Sequence, residues 1–209
     1  MKCCATRERL LEVAMDLIWT ESYGSVGVDE ICRKSKIQKG SFYHFFPSKA
    51  ELAAAALTEA WNKHQPNLER LFDAEIEPVR RLMEYVDFAA QRQKELKKKF
   101  GFYPGCPYTA IGIEQGGRQD LLRRTAQKHL ALMRKYFERA VRDAARNGTA
   151  RVDDPVKKTN EIYSLYIGAF TCLRINGDIG VMSSVKDGIA ALLGVRSHRV
   201  TSAKGKKAE

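Results

Sequence analysis

No run of apolar residues in this 209-residue chain approaches the roughly 18 needed to cross a bilayer, so no transmembrane helix is expected. The apolar stretch from Leu10 to Trp19 is broken by Glu12 and Asp16, which excludes a secretory signal there. The five cysteines (Cys3, Cys4, Cys32, Cys106 and Cys172) are odd in number and include no CxxC pair. A disulfide framework is therefore not expected, and free thiols in a reducing cytoplasm are the simplest reading. No apolar–polar alternation of period two survives anywhere, which removes β-sheet from consideration. Internal repeats are absent. So are a nucleophile elbow, a glycine-rich phosphate loop, an HExxH pair and any cluster with metal-ligand spacing. Neither a cofactor nor a metal site is predicted.

What is present is basic charge and helical periodicity. Lys and Arg number 36 against 25 Asp and Glu, a net charge of +11. An excess of that size favours a polyanionic partner, most often nucleic acid. The length suffices for a proper core without disulfides. In the first segment Leu10, Ala14, Leu17 and Ile18 share one helical face. The spacing then predicts short helices over 28–35 and 38–45, and a fourth opened by Ser48 as N-cap with Glu51 three residues on. That fourth helix runs to about residue 72, past Pro66. Further helices are expected from Pro78 to about Lys99, from Pro107 to about Gln115, and from Asp120 to Asn147. The last two begin at Pro155 and near Met182. The fold class is thus all-α, about nine helices: an N-terminal domain over 1–48, a larger body over 49–195, and a basic tail over 196–209 predicted to be disordered.

Residues 26–50 carry the most information. Between Ile31 and Ala50 stand Arg33, Lys34, Lys36, Lys39 and Lys49, with no acid among them. Two short helices joined by a tight turn, with a basic and aromatic surface, suit an element that lays its second helix in the major groove. The start of that helix needs small or polar side chains, and Gln38, Lys39, Gly40 and Ser41 supply them. Gln pairs bidentately with adenine and Lys reaches guanine. Tyr43, His44 and Lys49 are candidate phosphate contacts. Ile31, Ile37, Phe42 and Phe45 are the expected small core beneath them.

The string KGSFYHFFPSKAEL resembles the signature of the TetR/AcrR family of transcriptional repressors. The resemblance implies an all-helical homodimer whose N-terminal helix-turn-helices each read half of a palindromic operator. It implies a C-terminal body holding an effector pocket, with dimerisation through the last two helices. Carried over residue by residue, the DNA contacts fall on Gln38, Lys39, Gly40, Ser41, Tyr43, His44 and Lys49. Two positions depart from the family. Gly27 stands where Thr is common, leaving Ser25 to replace its hydroxyl. The turn reads Ser35-Lys36-Ile37 in place of Ala-Gly-Val, so Lys36 must take the left-handed conformation that glycine prefers.

Cys106, between Gly105 and Pro107, is the expected N-cap of the sixth helix, where the helix dipole would lower its pKa. Gly105, Cys106 and Glu114 together resemble a NemR-like subgroup in which the equivalent cysteine senses electrophiles. The alternative is that Cys106 simply packs as a small apolar residue. Tyr103, Tyr136 and Tyr166, with Cys106 and Glu114, are the candidate effector or sensor residues. Tyr85, Phe88, Phe102, Ile111, Tyr163 and Phe170 are further possible pocket walls. Ile162, Leu165, Ala169 and Leu173, with Val185, Ile189 and Leu192, form two apolar stripes expected at the dimer interface. Two other functions compete: a non-specific nucleic-acid binder using the overall charge, and a cysteine-dependent enzyme pairing Cys106 with a histidine such as His129.

Overall fold

The computed structural model describes residues 2–117 and 120–195; the tail beyond residue 195, with its expected disorder, lies outside them. Among the described residues there are nine helices and no strand. They are α1 (Lys2–Thr20), α2 (Val28–Ser35), α3 (Lys39–Phe45), α4 (Lys49–Leu71), α5 (Pro78–Phe100), α6 (Pro107–Gln115), α7 (Asp120–Arg146), α8 (Pro155–Asn176) and α9 (Val181–Leu193). No described helix is long and apolar enough to cross a membrane.

The helix ends follow local chemistry. Ser48 Oγ accepts from the Glu51 backbone N–H at 3.1 Å, which satisfies one of the N–H groups left open at the start of α4. The Glu77 carboxylate does the same for α5, accepting from the N–H groups of Val79 and Arg80. Asp154 caps α8 through Val156 and Lys157, with Pro155 at the first helical position. Pro66 lies inside α4 without ending it. The α2–α3 turn takes the strained conformation its sequence requires. Lys36 adopts φ 58° and ψ 39°, and its N–H returns to carbonyls of α2. A non-glycine residue in this region is uncommon and is held there by the surrounding packing.

The chain divides into two compact units that do not follow chain order. The first comprises Met1–Pro66 and Leu96–Met133, the second Asn67–Glu95 and Arg134–Glu209. The expected N-terminal domain ending at residue 48 is thus packed in one unit with α6 and with parts of α4, α5 and α7.

In the first unit the predicted face of α1 (Leu10, Ala14, Leu17 and Ile18) is buried with Ile31, Phe42, Leu52 and Leu57. The expected core differs at two positions: Ile37 and Phe45 are only half-buried, whereas Phe46 is buried. Phe46 is four residues after Phe42 and shares its face, while Phe45 is turned aside by one residue of helical rotation. Cys32 is buried, as expected of a core position.

The second unit is built around an aromatic cluster. Phe137 stands 5.7 Å from Phe72, 5.6 Å from Tyr85 and 5.2 Å from Tyr166, and Phe170 meets Tyr166 edge-on at 4.9 Å. Arg81, almost wholly buried, bonds Asp143 at 2.6 Å and also donates to the carbonyls of Ala74 and Ile76. A buried charge is tolerated only when satisfied in this way. Ile162, Ala169, Leu173, Val185 and Ile189 are all buried within this unit. Much of the two stripes expected at the dimer interface is thus covered within the unit, while Leu165 and Leu192 remain half-buried. Gly188 is part of this packing, since a side chain there would collide with Leu165.

Candidate nucleic-acid interface

The reading element is a short helix presented by a buried base. Phe42 is fully buried and anchors α3; its ring meets Tyr43 edge-on at 5.1 Å, which orients the tyrosine outward. Gln38, at the N-cap of α3, makes no side-chain capping bond, and its neighbours Lys39, Gly40 and Ser41 are exposed with it. The structure therefore brings the four expected base-contact residues to one solvent-facing helix start. Gly40 has open space beyond its α-carbon, so the backbone itself is approachable. Tyr43 and His44 are also exposed, and His44 stands edge-on to Phe45 at 5.0 Å.

Two of the expected contacts carry partners of their own. Lys39 pairs with Asp29 at the start of α2, Nζ to carboxylate 2.7 Å, and this hydrogen bond raises the pKa of its ammonium. The pair is exposed, so it has little energetic weight and is easily exchanged for a phosphate. Lys49 is different. Its ammonium is turned into the protein, donating to the carbonyls of Tyr23 and Val26 at 2.8 Å each and lying 4.1 Å over the Tyr23 ring. Burial lowers its pKa, partly opposed by the Glu114 carboxylate. Lys49 is thus placed as a loop anchor. Ser25, expected to replace the hydroxyl missing at position 27, is engaged within its own loop. Its hydroxyl donates to the Ser22 carbonyl at 2.8 Å, and α2 starts at Gly27 with no side-chain cap.

Glu114, near the end of α6, reaches the same loop. Its carboxylate accepts from the Ser22 hydroxyl at 2.6 Å, the Tyr23 N–H at 2.9 Å and the Gly24 N–H at 2.7 Å. Burial alone would raise its pKa, but these donors together hold it below the ordinary glutamate range. The same carboxylate, second to burial, raises the Tyr23 phenol. As an effector ligand Glu114 is already occupied.

Cys106 is the N-cap of α6 with Pro107 at the first helical position, as the sequence predicts. Its expected acidity is not found. The residue keeps some exposed surface while its sulfur is enclosed, and burial pushes the thiol up. The Thr109 hydroxyl and the N–H groups of Thr109 and Tyr108 act the other way and are outweighed. Desolvation of a thiolate exceeds what one short helix end returns.

The remaining effector candidates are committed to packing. Tyr103 is buried with the Lys97 ammonium 4.5 Å over its ring. Tyr166 lies in the aromatic cluster with its hydroxyl 3.2 Å from that of Tyr85. Tyr136 donates to Glu69, and its phenol, through burial and that carboxylate, is pushed up to about 12.

His129 was legible in the sequence only as a possible catalytic partner. It is 2% exposed, lies flat against Trp61 at 5.5 Å and stands 5.2 Å from Tyr108. Its Nε2 is 3.3 Å from the Thr58 hydroxyl, and its Nδ1 has no partner among the described residues. His129 shares the buried face of α7 with Leu122, Ala126 and Met133, so its helical spacing marks it as inward-facing, while its partners are revealed only by tertiary contacts. No group of three or more potential metal ligands occurs among the described residues.

Residues 10–56 match the family model described as bacterial regulatory proteins, tetR family. Residues 78–189 match the model described as tetracyclin repressor-like, C-terminal domain. The transcriptional regulator AcuR of Cereibacter sphaeroides is 30% identical over 151 residues, 71% of this chain and 67% of AcuR. The transcriptional repressor NemR of Escherichia coli strain K12 is 23% identical over 168 residues, 78% of this chain and 81% of NemR. The crystal structure of a regulatory protein TetR from Rhodobacter sphaeroides superposes with a TM-score of 0.77 at 26% identity, covering 88% of this chain and 97% of that one.

Proposed function

The chain belongs to the TetR family of bacterial regulatory proteins, and on that footing we propose that it is a homodimeric repressor reading a palindromic operator. It is a DNA-binding transcriptional regulator with the helix-turn-helix and helical body of that family. In the proposal each α3 enters the major groove, with Gln38, Lys39, Gly40 and Ser41 at base edges and Tyr43 and His44 on phosphates. The observation that carries this reading is the exposed start of α3, four polar or small residues on a basic surface with a buried aromatic base. Lys49 moves from phosphate contact to support. The protein works in the cytoplasm, where operator DNA is found.

Family members act as dimers, and here the proposed contact is the outer side of the last two helices. Gly168, Cys172 and Ile175 share one exposed face of α8, with Ile175 75% exposed, and Ala191 is exposed on α9. Two such protomers set their recognition helices one DNA turn apart, about 34–36 Å.

Release by a small effector is the second half of the proposal, with His129 as its polar anchor. The Thr58 hydroxyl donates to the Ala54 carbonyl at 2.9 Å, so its oxygen accepts from His129 Nε2–H. The Nδ1 lone pair is then a buried acceptor in need of a donor. Burial, and after it Lys128, lowers the His129 pKa, which favours the neutral ring. Trp61 and Tyr108 add flat apolar walls. A small, uncharged, planar molecule with a hydroxyl or N–H donor fits that chemistry. A covalent trigger at Cys106 is the weaker branch, because its raised pKa reduces the thiolate. A cysteine-dependent enzyme loses support for the same reason, and its nominated base is occupied with Thr58.

The test is an operator selection on the purified chain, followed by binding measurements against random-sequence DNA. A palindrome bound at least about a thousandfold more tightly than random DNA is expected of a specific regulator. Equal affinity for both would replace this reading with the non-specific binder. Phenol, benzyl alcohol and benzamide then serve as probes for release, with His129→Phe expected to abolish their effect.

A further inference from the structure

The loop between α1 and α2 is held from both of its polar sides. Its N–H groups at Tyr23 and Gly24 go to the Glu114 carboxylate, and its carbonyls at Tyr23 and Val26 go to the Lys49 ammonium. One peptide segment of a few residues thus lies between an anion from α6 and a cation from α4. The Ser22 hydroxyl bonds the same carboxylate and also accepts from the Gly24 N–H at 3.2 Å, closing the group. We propose that Glu114 is a positioning residue for DNA binding: with Lys49 it clamps the α1–α2 loop and so sets where α2 and α3 stand. The proposal deepens the DNA-binding reading above and rests on it.

Three observations support it. Charge-assisted bonds of this length are the strong class, and Glu114 makes three to a single loop. Position 24 is shaped around the carboxylate, since a Cβ on Gly24 would stand 3.2 Å from Glu114 Oε1. The helix that carries Glu114 is itself anchored: Ile111 is buried, and the Tyr108 hydroxyl donates to the Leu57 carbonyl of α4 at 3.1 Å. The carboxylate is therefore delivered from a fixed support. The loop runs directly into Gly27, the uncapped start of α2. Without an N-cap bond of its own, α2 depends on the preceding loop for its entry direction. A loop released from the clamp would add its ordering to every DNA-binding event.

The test compares Glu114→Gln and Ser22→Ala with the unaltered chain. Glu114→Gln preserves size but presents an amide where three donors converge. Two readings are taken: amide-exchange protection at Tyr23 and Gly24, and operator affinity as a function of salt. The expected result is lost protection at both amides and an operator Kd raised about tenfold or more, with an unchanged slope of log K against log salt because no phosphate contact is removed. Ser22→Ala, which deletes one exposed donor, is expected to raise Kd about threefold and guards against a Glu114 variant that fails to fold. Intact protection in Glu114→Gln, or lost protection with unchanged operator affinity in both variants, overturns the proposal. Failure of the unaltered chain to bind any specific operator would instead remove the function proposed above, while the exchange measurement still reads the clamp.

Discussion

Lys49→Met separates the two roles open to this lysine. The substitution keeps the length of the side chain and removes the ammonium. Two bonds, each 2.8 Å, from a charged donor to loop carbonyls are lost, together with the contact over the Tyr23 ring. Bonds to charged groups contribute about 1.5–3 kcal/mol each, and the half-buried setting lets water restore part of that. A net loss of about 1–2 kcal/mol per protomer is the reasonable scale. If that loosens the loop in free protein, both heads of a dimer must re-order it on binding. The operator Kd then rises by about thirtyfold to a thousandfold, since 1.4 kcal/mol is a factor of ten. The salt slope should not change, because the ammonium faces the protein. Were Lys49 on a phosphate in each half-site, the slope would fall by about 1.8, two contacts at roughly 0.9 each. Fluorescence anisotropy with a labelled operator over a range of salt concentrations measures both quantities. A slope reduced by about 1.8 with the loop amides still protected would refute the inward placement and restore the phosphate contact.

Other expectations concern neighbouring groups. Asp29→Asn removes the partner of Lys39; binding to random-sequence DNA should tighten a few-fold and its salt slope steepen, as read by the same anisotropy titration. Cys106, with its thiol pushed up by burial, should react with iodoacetamide near pH 7.5 more slowly in the folded protein than in the urea-unfolded chain, and peptide mass spectrometry of a time course checks the order. The Glu114 carboxylate is held below its ordinary pKa of 4.5. Its contribution is therefore complete above that value and is lost as pH falls through the lower, folded value; protection factors at Tyr23 and Gly24 should drop in that acid window and be flat near neutrality. Tyr43→Phe keeps the edge-on contact with Phe42 and deletes the hydroxyl, so operator affinity should fall about tenfold per lost phosphate bond with unchanged thermal stability.

Much of the architecture was legible because helical structure is written locally. The period of Leu10, Ala14, Leu17 and Ile18, the Ser48 cap, the Asp154-Pro155 start and the Lys36 turn each depend on residues a few positions apart. The exposure of Gln38, Lys39, Gly40 and Ser41 follows the same logic, since they occupy the helix start whose opposite face holds Phe42. The misreadings are all non-local. Phe46 replaces Phe45 because the core lies on one side of a seven-residue helix whose last turn ends there. Most of the α8 and α9 stripe residues are covered within the unit, Leu165 and Leu192 only in part, and periodicity does not say which surface a face will meet.

By itself, then, the sequence determined the nine helices found among the described residues, to within a residue or two at most ends, and the basic, exposed start of α3, because those properties arise from neighbours within a few residues along the chain. Only the tertiary structure decided what surrounds Lys49, Glu114, Cys106 and His129. Lys49 and Glu114 are 65 residues apart in sequence and meet on one loop. The Cys106 thiol loses its expected acidity to burial that no spacing reveals. The state of His129 is set by Thr58, Trp61 and Tyr108, from two other helices. A side chain's charge, partners and solvent are properties of the space it occupies, and that space is filled from distant parts of the chain.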